Sequence, residues 1–118
     1  MRTTVIDGKE YPAELHVLSR TFKIQWHEGK VICQEDDTLN QGLFDKDTQT
    51  LNVNRKMQDS AVAEVLLHEL THSFNWMWQN ESIDREEEDL TNQFAITLMT
   101  VARQNPGFLA WLERMANA

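Results

Sequence analysis

The sequence predicts an α+β domain, with strands first and helices after them. Two patterns lead to this class. In the first half, apolar residues alternate with polar ones, the two-residue repeat of half-buried strands. In the second half they recur at steps of three and four, the repeat of amphipathic helices. At 118 residues the chain is one domain, 1–118, long enough for a single core and not for two.

Phe22, Ile24 and Trp26 alternate with Lys23, Gln25 and His27, so this run is a strand with one face on the core. The alternation stops after His27, and Glu28-Gly29-Lys30 reads as a turn. Val31-Ile32-Cys33 is a short second strand candidate, and Glu35-Asp36-Asp37 is a solvated acidic loop. Gly42-Leu43-Phe44 and Thr50-Leu51-Asn52-Val53-Asn54 flank a polar, turn-forming segment, which makes a β-hairpin. Asp59 or Ser60 can cap the next helix, expected from about Ser60 to Trp78. Gln79-Asn80-Glu81-Ser82 interrupts the helical pattern. Ser82 or Asp84 can cap a second long helix, with Asp84 and Glu87 at capping-box spacing. The connection is short, so the two helices should pack antiparallel. The apolar stripe of the second is Leu90, Phe94, Leu98 and Val101, and it ends near Gln104. Asn105 as N-cap and Pro106 at the first position start a terminal helix, whose inward face is Phe108, Leu109, Leu112 and Met115.

Composition narrows the function. The net charge is −8 and no basic cluster exists to neutralise phosphates, so nucleic acid is not an expected partner. Cys33 is the single cysteine, which rules out an internal disulfide and fits a reducing, cytoplasmic setting. Cys33 itself reads as a small apolar strand residue. Residues Met1 to Asp7 lack the apolar run of a signal peptide, and no stretch reaches membrane-spanning length, so no membrane partner is expected.

The stretch with the most chemistry is His68-Glu69-Leu70-Thr71-His72, an H-E-x-x-H pattern within the first long helix. Residues four apart share a helix face, so His68 and His72 can offer imidazole nitrogens to one metal ion. Glu69, offset by about 100°, sits beside that ion, where its carboxylate can take a proton from water. This is the pattern of a metal-dependent hydrolase. A catalytic zinc usually has a third protein ligand. The acidic run Glu86-Glu87-Glu88-Asp89 at the start of the second helix is the source in reach. Glu88 shares a helical face with Asn92, Ala95 and Met99, beside the small Thr91, and is the preferred ligand, with Asn92 as a hydrogen-bond partner for a liganded imidazole. Glu87, in line with the Leu90–Phe94–Leu98 stripe, is the alternative.

Leu66-Leu67-His68-Glu69-Leu70-Thr71-His72 followed by Glu88, Thr91, Asn92, Phe94 and Ala95 resembles the zincin metallopeptidases of the glutamate-ligand type. The likeness is greatest to the small ImmA/IrrE-like proteins of phages, prophages and mobile elements. Their second motif reads roughly E-x-x-A-N-x-F-A, and here Thr91 stands in place of the usual Ala. The hairpin from Gly42 to Asn54, and Asn105-Pro106 with Leu112, extend the likeness over about the last two-thirds of the chain. The resemblance implies a zincin-like fold: a small twisted N-terminal sheet packed on the active-site helix, then the second long helix and a short C-terminal one. It implies zinc held by His68, His72 and Glu88, Glu69 as general base, and a protein or peptide substrate, which in characterised members is a regulator. Ser73 departs from the usual residue after the second His. No DNA-binding or sensor segment is expected here, so regulator cleavage does not carry over.

The expected activity is therefore that of a zinc metallopeptidase, an endopeptidase acting in the host cytoplasm if the gene is phage-borne. A strand within Leu43–Val53 could receive an extended substrate by β-augmentation. Tyr11, His16 and His27 are the available candidates for stabilising an oxyanion. A different class of function is a catalytically idle, zinc-binding interaction module, with Trp76, Trp78 and Trp111 as an aromatic patch and Cys33 as a closing fourth ligand.

Overall fold

A computed structural model describes residues 1–78 and 87–118; for Glu87 and Glu88 it describes the backbone alone. Eight strands precede three helices among these residues: β1 (Thr3–Ile6), β2 (Lys9–Pro12), β3 (Glu14–Val17), β4 (Arg20–His27), β5 (Val31–Ile32), β6 (Leu39–Asn40), β7 (Gly42–Asp45), β8 (Thr50–Asn54), α1 (Asp59–Trp78), α2 (Glu87–Gln104) and α3 (Phe108–Ala116). The α+β class is thus observed.

The main sheet has the order β3-β4-β8-β7, and two small hairpins, β1-β2 and β5-β6, complete the β-structure. β4 behaves as its alternation requires: Phe22, Ile24 and Trp26 are buried while Thr21, Lys23 and Gln25 are exposed. The β7–β8 hairpin forms as expected, with Phe44 opposite Leu51. It joins the sheet through β8, which runs parallel to β4. The β5–β6 segment is part of the crossover such a pairing needs.

One face of the sheet packs on the helices. Leu15, Val17, Phe22, Leu51 and Val53 meet Val62, Leu66, Leu70 and Phe74 of α1, and Phe108, Trp111 and Met115 of α3 close the same core. The buried indoles are satisfied by strand carbonyls: Trp26 Nε1 donates to Pro12 O at 2.8 Å and Trp111 Nε1 to Glu10 O at 3.0 Å. Trp76 packs at the core margin, where its ring meets Phe44 (centroids 5.7 Å apart) and carries the Arg20 guanidinium 4.6 Å above it. This cluster holds β7 beside the second half of α1.

Asn105 is not an N-cap. It is buried, its Oδ1 accepts from His16 N–H at 2.8 Å, and its Nδ2 donates to His16 O and Val101 O at 2.7 and 2.8 Å. α3 instead starts at Phe108 after Gly107, whose φ of 94° suits a residue without a Cβ. Leu109 faces solvent, 56% exposed, and Trp111 takes the inward place. Phe94 and Leu98 of the expected α2 stripe remain 43% and 39% exposed, while Thr97 and Val101 are buried.

α2 also meets α1 in a way that differs from the expected antiparallel packing. Phe94 packs on Phe74 with centroids 5.6 Å apart, and Trp78 Nε1 donates to Thr97 Oγ1 at 2.6 Å. Residue numbers rise together along both helices between these contacts, so α2 crosses α1 rather than retracing it antiparallel. Its C-terminal end is held by β3 through Asn105 and by Leu18, just after β3, through Gln104. The expected caps of α2, Ser82 and Asp84, lie outside the described residues.

Candidate active site

α1 brings the H-E-x-x-H residues to the open edge of the sheet. Val62, Leu66, Leu70 and Phe74 turn one side of the helix into the core, which leaves His68 and His72 on the exposed side. The two imidazoles converge. Their Nε2 atoms lie 3.1 Å apart, with ring centroids 4.7 Å apart and planes at 80°. Two nitrogens on one tetrahedral zinc, each about 2.0–2.1 Å from it, stand roughly 3.3 Å apart. The pair therefore fits one ion placed outside the helix.

Glu69 turns the other way, toward β7, and is 6% exposed. The Phe44 N–H hydrogen-bonds its carboxylate. Burial pushes its carboxyl above the ordinary range, against the opposing pull of His72, His68 and the Phe44 amide. Strand β7 comes this close because Gly42 has no side chain. A Cβ there would lie 2.6 Å from Val65 Cγ1 and 2.9 Å from Glu69 Oε2. The hairpin pattern marks Gly42 only as the start of a strand. A glycine at a strand position is itself a signal of close backbone approach.

Cys33, Asp36, Thr38, Asn40, Gly42, Leu43 and Phe44 complete the cleft over His68, Glu69 and His72, a space of about 390 Å³. Sequence reasoning missed the β5–β6 turn in this role. Cys33 is a half-buried turn residue, not a strand residue, and its side chain hydrogen-bonds Asp36. The hydroxyl and N–H of Thr38, then Cys33, hold the Asp36 carboxyl below its ordinary range. A groove lined by Leu43, Phe44, Lys46, His72, Asn75 and Trp76 continues the cleft on one side. Another, lined by Asn40, Gln41, Gly42, Glu64, Val65 and His68, continues it on the other.

Other candidate residues fall elsewhere. Tyr11 is buried against Trp26, with ring centroids 4.8 Å apart. His16 Nδ1 pairs with Thr21 Oγ1 at 2.9 Å and His27 Nε2 with Asn52 Oδ1 at 2.8 Å. None of the three lines the cleft or its continuations. Among the described residues, no group of three His, Cys, Asp or Glu side chains is arranged to hold a metal ion. The side chains of Glu88 and Glu87 lie outside the described residues. Asn92, Ala95 and Met99, the face assigned to Glu88, are exposed, whereas Phe94 meets α1. Asn92 is therefore turned to solvent. No protein-family model, curated protein or solved structure matches this chain.

Proposed function

We propose that this protein is a zinc-dependent endopeptidase, with His68 and His72 as metal ligands, Glu69 as general base and Glu88 as third ligand, Glu87 being the alternative. The observation that carries the reading is the convergence of two imidazole Nε2 atoms, 3.1 Å apart, on a cleft that the buried carboxylate of Glu69 also lines. A bound zinc supplies a Lewis acid that activates water and polarises a carbonyl. The chain does the rest. His68 and His72 would hold the ion through their Nε2 atoms. The Glu69 carboxylate takes the proton of the attacking water and returns it to the departing amine. Its raised proton affinity suits both halves of that exchange. β7 is the edge strand of the sheet beside the cleft. Asn54 N–H bonds Gln41 O, so by the alternation of antiparallel pairs Gly42 and Phe44 point their backbone groups outward. An extended peptide can add to that edge.

Zinc content and hydrolysis of a denatured protein substrate test the proposal together. Glu69→Gln should keep zinc and lose hydrolysis; retained hydrolysis would remove Glu69 from its role. Glu88→Ala and Glu87→Ala, measured separately, identify the third ligand by which one empties the site. The alternative, a catalytically idle zinc-binding module, draws on the presence of Cys33 in the cleft. Cys33→Ser should leave zinc content unchanged for the peptidase and lower it for the module.

A further inference from the structure

α2 carries two stripes, each stepping by three and four residues. Leu90, Phe94, Thr97 and Val101 form the inner one, of which Thr97 and Val101 are fully buried. Asp89, Asn92, Ile96, Met99 and Arg103 form the outer one, and all five are exposed, Ile96 by 57% and Met99 by 55%. Steps of three and four average three and a half, the period at which one helix lies along another. From Leu90 to Ala102 no side chain is charged. At the two ends of this neutral stretch stand charges of opposite sign, Asp89 and Arg103, each seven residues from Ile96. Neither has an ion-pair partner among the described residues.

We propose that this outer stripe is a self-association surface, on which α2 packs antiparallel against α2 of a second copy of the chain. The charges select both the occupant and the direction. In a parallel pair Asp89 would face Asp89 of the other copy, and Arg103 would face Arg103. In an antiparallel pair each Arg103 reaches the Asp89 of its partner, and the helix dipoles oppose favourably. In that register Ile96 of one copy packs on Ile96 of the other at the two-fold axis, with Met99 of each copy flanking it. Asn92 lies in the seam, where a polar residue fixes register at a cost in stability. The net charge of −8 disfavours random collisions between copies, so pairing depends on this local match. A seam of five positions is small for a stable interface, which makes a reversible, concentration-dependent dimer the expected form.

Sedimentation velocity of the full chain over a wide concentration range tests this without reference to any catalytic activity. The expected result is a monomer that converts to a dimer as concentration rises. Ile96→Lys with Met99→Lys should leave a monomer with an unchanged circular dichroism spectrum. Asp89→Arg alone and Arg103→Asp alone should each weaken dimerisation by about tenfold, since both copies then face like charges, and the double swap should restore it. A chain that stays monomeric at every concentration, whatever else binds this face, overturns the proposal. A dimer indifferent to the Ile96 and Met99 changes does the same. Single swaps without effect, or a double swap that fails to restore pairing, overturn the antiparallel arrangement.

Discussion

Gly42 and Glu69 show how much of the site depends on a missing methyl group. The backbone of β7 reaches the Glu69 carboxylate only because nothing projects from Gly42. Gly42→Ala should destabilise the fold by about 1–3 kcal/mol through overpacking. If Glu69 is the general base, the same change should slow hydrolysis by roughly a hundredfold through its displacement, with zinc content unchanged; parallel metal analysis and kinetics check this. Glu69 also predicts a pH dependence. Its carboxyl is raised in the folded protein, so above the ordinary carboxyl range the native state holds a proton that the unfolded chain has released. Stability of the metal-free protein therefore falls as pH rises through that window. Glu69→Gln removes the effect: metal-free, it should melt higher than the parent at neutral pH, with the gap closing in acid. Equal melting temperatures at both pH values would contradict the assigned burial penalty.

At the scale of elements, a pair of side-chain amides stands in for a missing strand. Asn105 bonds both backbone groups of His16, and Gln104 bonds both of Leu18, its Oε1 accepting at 2.8 Å and its Nε2 donating at 2.8 Å. Asn105 closes the outer edge of β3 at His16, Gln104 holds the turn that follows, and both anchor the end of α2. Asn105→Ala should cost about 3 kcal/mol, because it strands buried backbone groups; the urea midpoint reads this directly. Asn105 was legible as a helix boundary and not as a strand cap, since its partner lies 89 residues away. The long helices and the β7–β8 hairpin were legible because their apolar periods are local. β1, β2 and β3 were not, because runs such as Lys9-Glu10-Tyr11-Pro12 are short and mostly polar. The Asp7-Gly8 turn between β1 and β2, with φ of 51° and 80°, was the one local clue to them.

For the whole molecule, the contrast between the two sheet edges matters most. The β3 edge is closed at His16 by the Asn105 amide, whereas the β7 edge borders the cleft, where Glu69 takes its Phe44 N–H. Exposed edges invite pairing with another chain, so under the proposed peptidase function the β7 edge is where an extended substrate would add. If zinc binds there and not to the unfolded chain, zinc at a hundredfold its dissociation constant should add about 2.7 kcal/mol of stability. That corresponds to a melting rise of several degrees, seen by calorimetry. His72→Ala should abolish the rise while leaving the metal-free melting temperature close to the parent's, because His72 is exposed. No helix among the described residues is long and apolar enough to cross a membrane.

Residue types and their spacing sufficed to place His68, Glu69 and His72 on one helix, because the geometry of a single turn follows from the backbone alone. They sufficed also for the division of the chain into strands and then helices. Contacts between distant segments decided the rest: which edge of the sheet faces the histidines, that Gly42 abuts Glu69, that the Cys33–Asn40 turn forms a wall of the cleft, and that α2 crosses α1 with Ile96 and Met99 turned outward. Each depends on how separately formed elements dock. Docking is set by steric fit and by buried polar groups finding partners far along the chain, which no local period encodes.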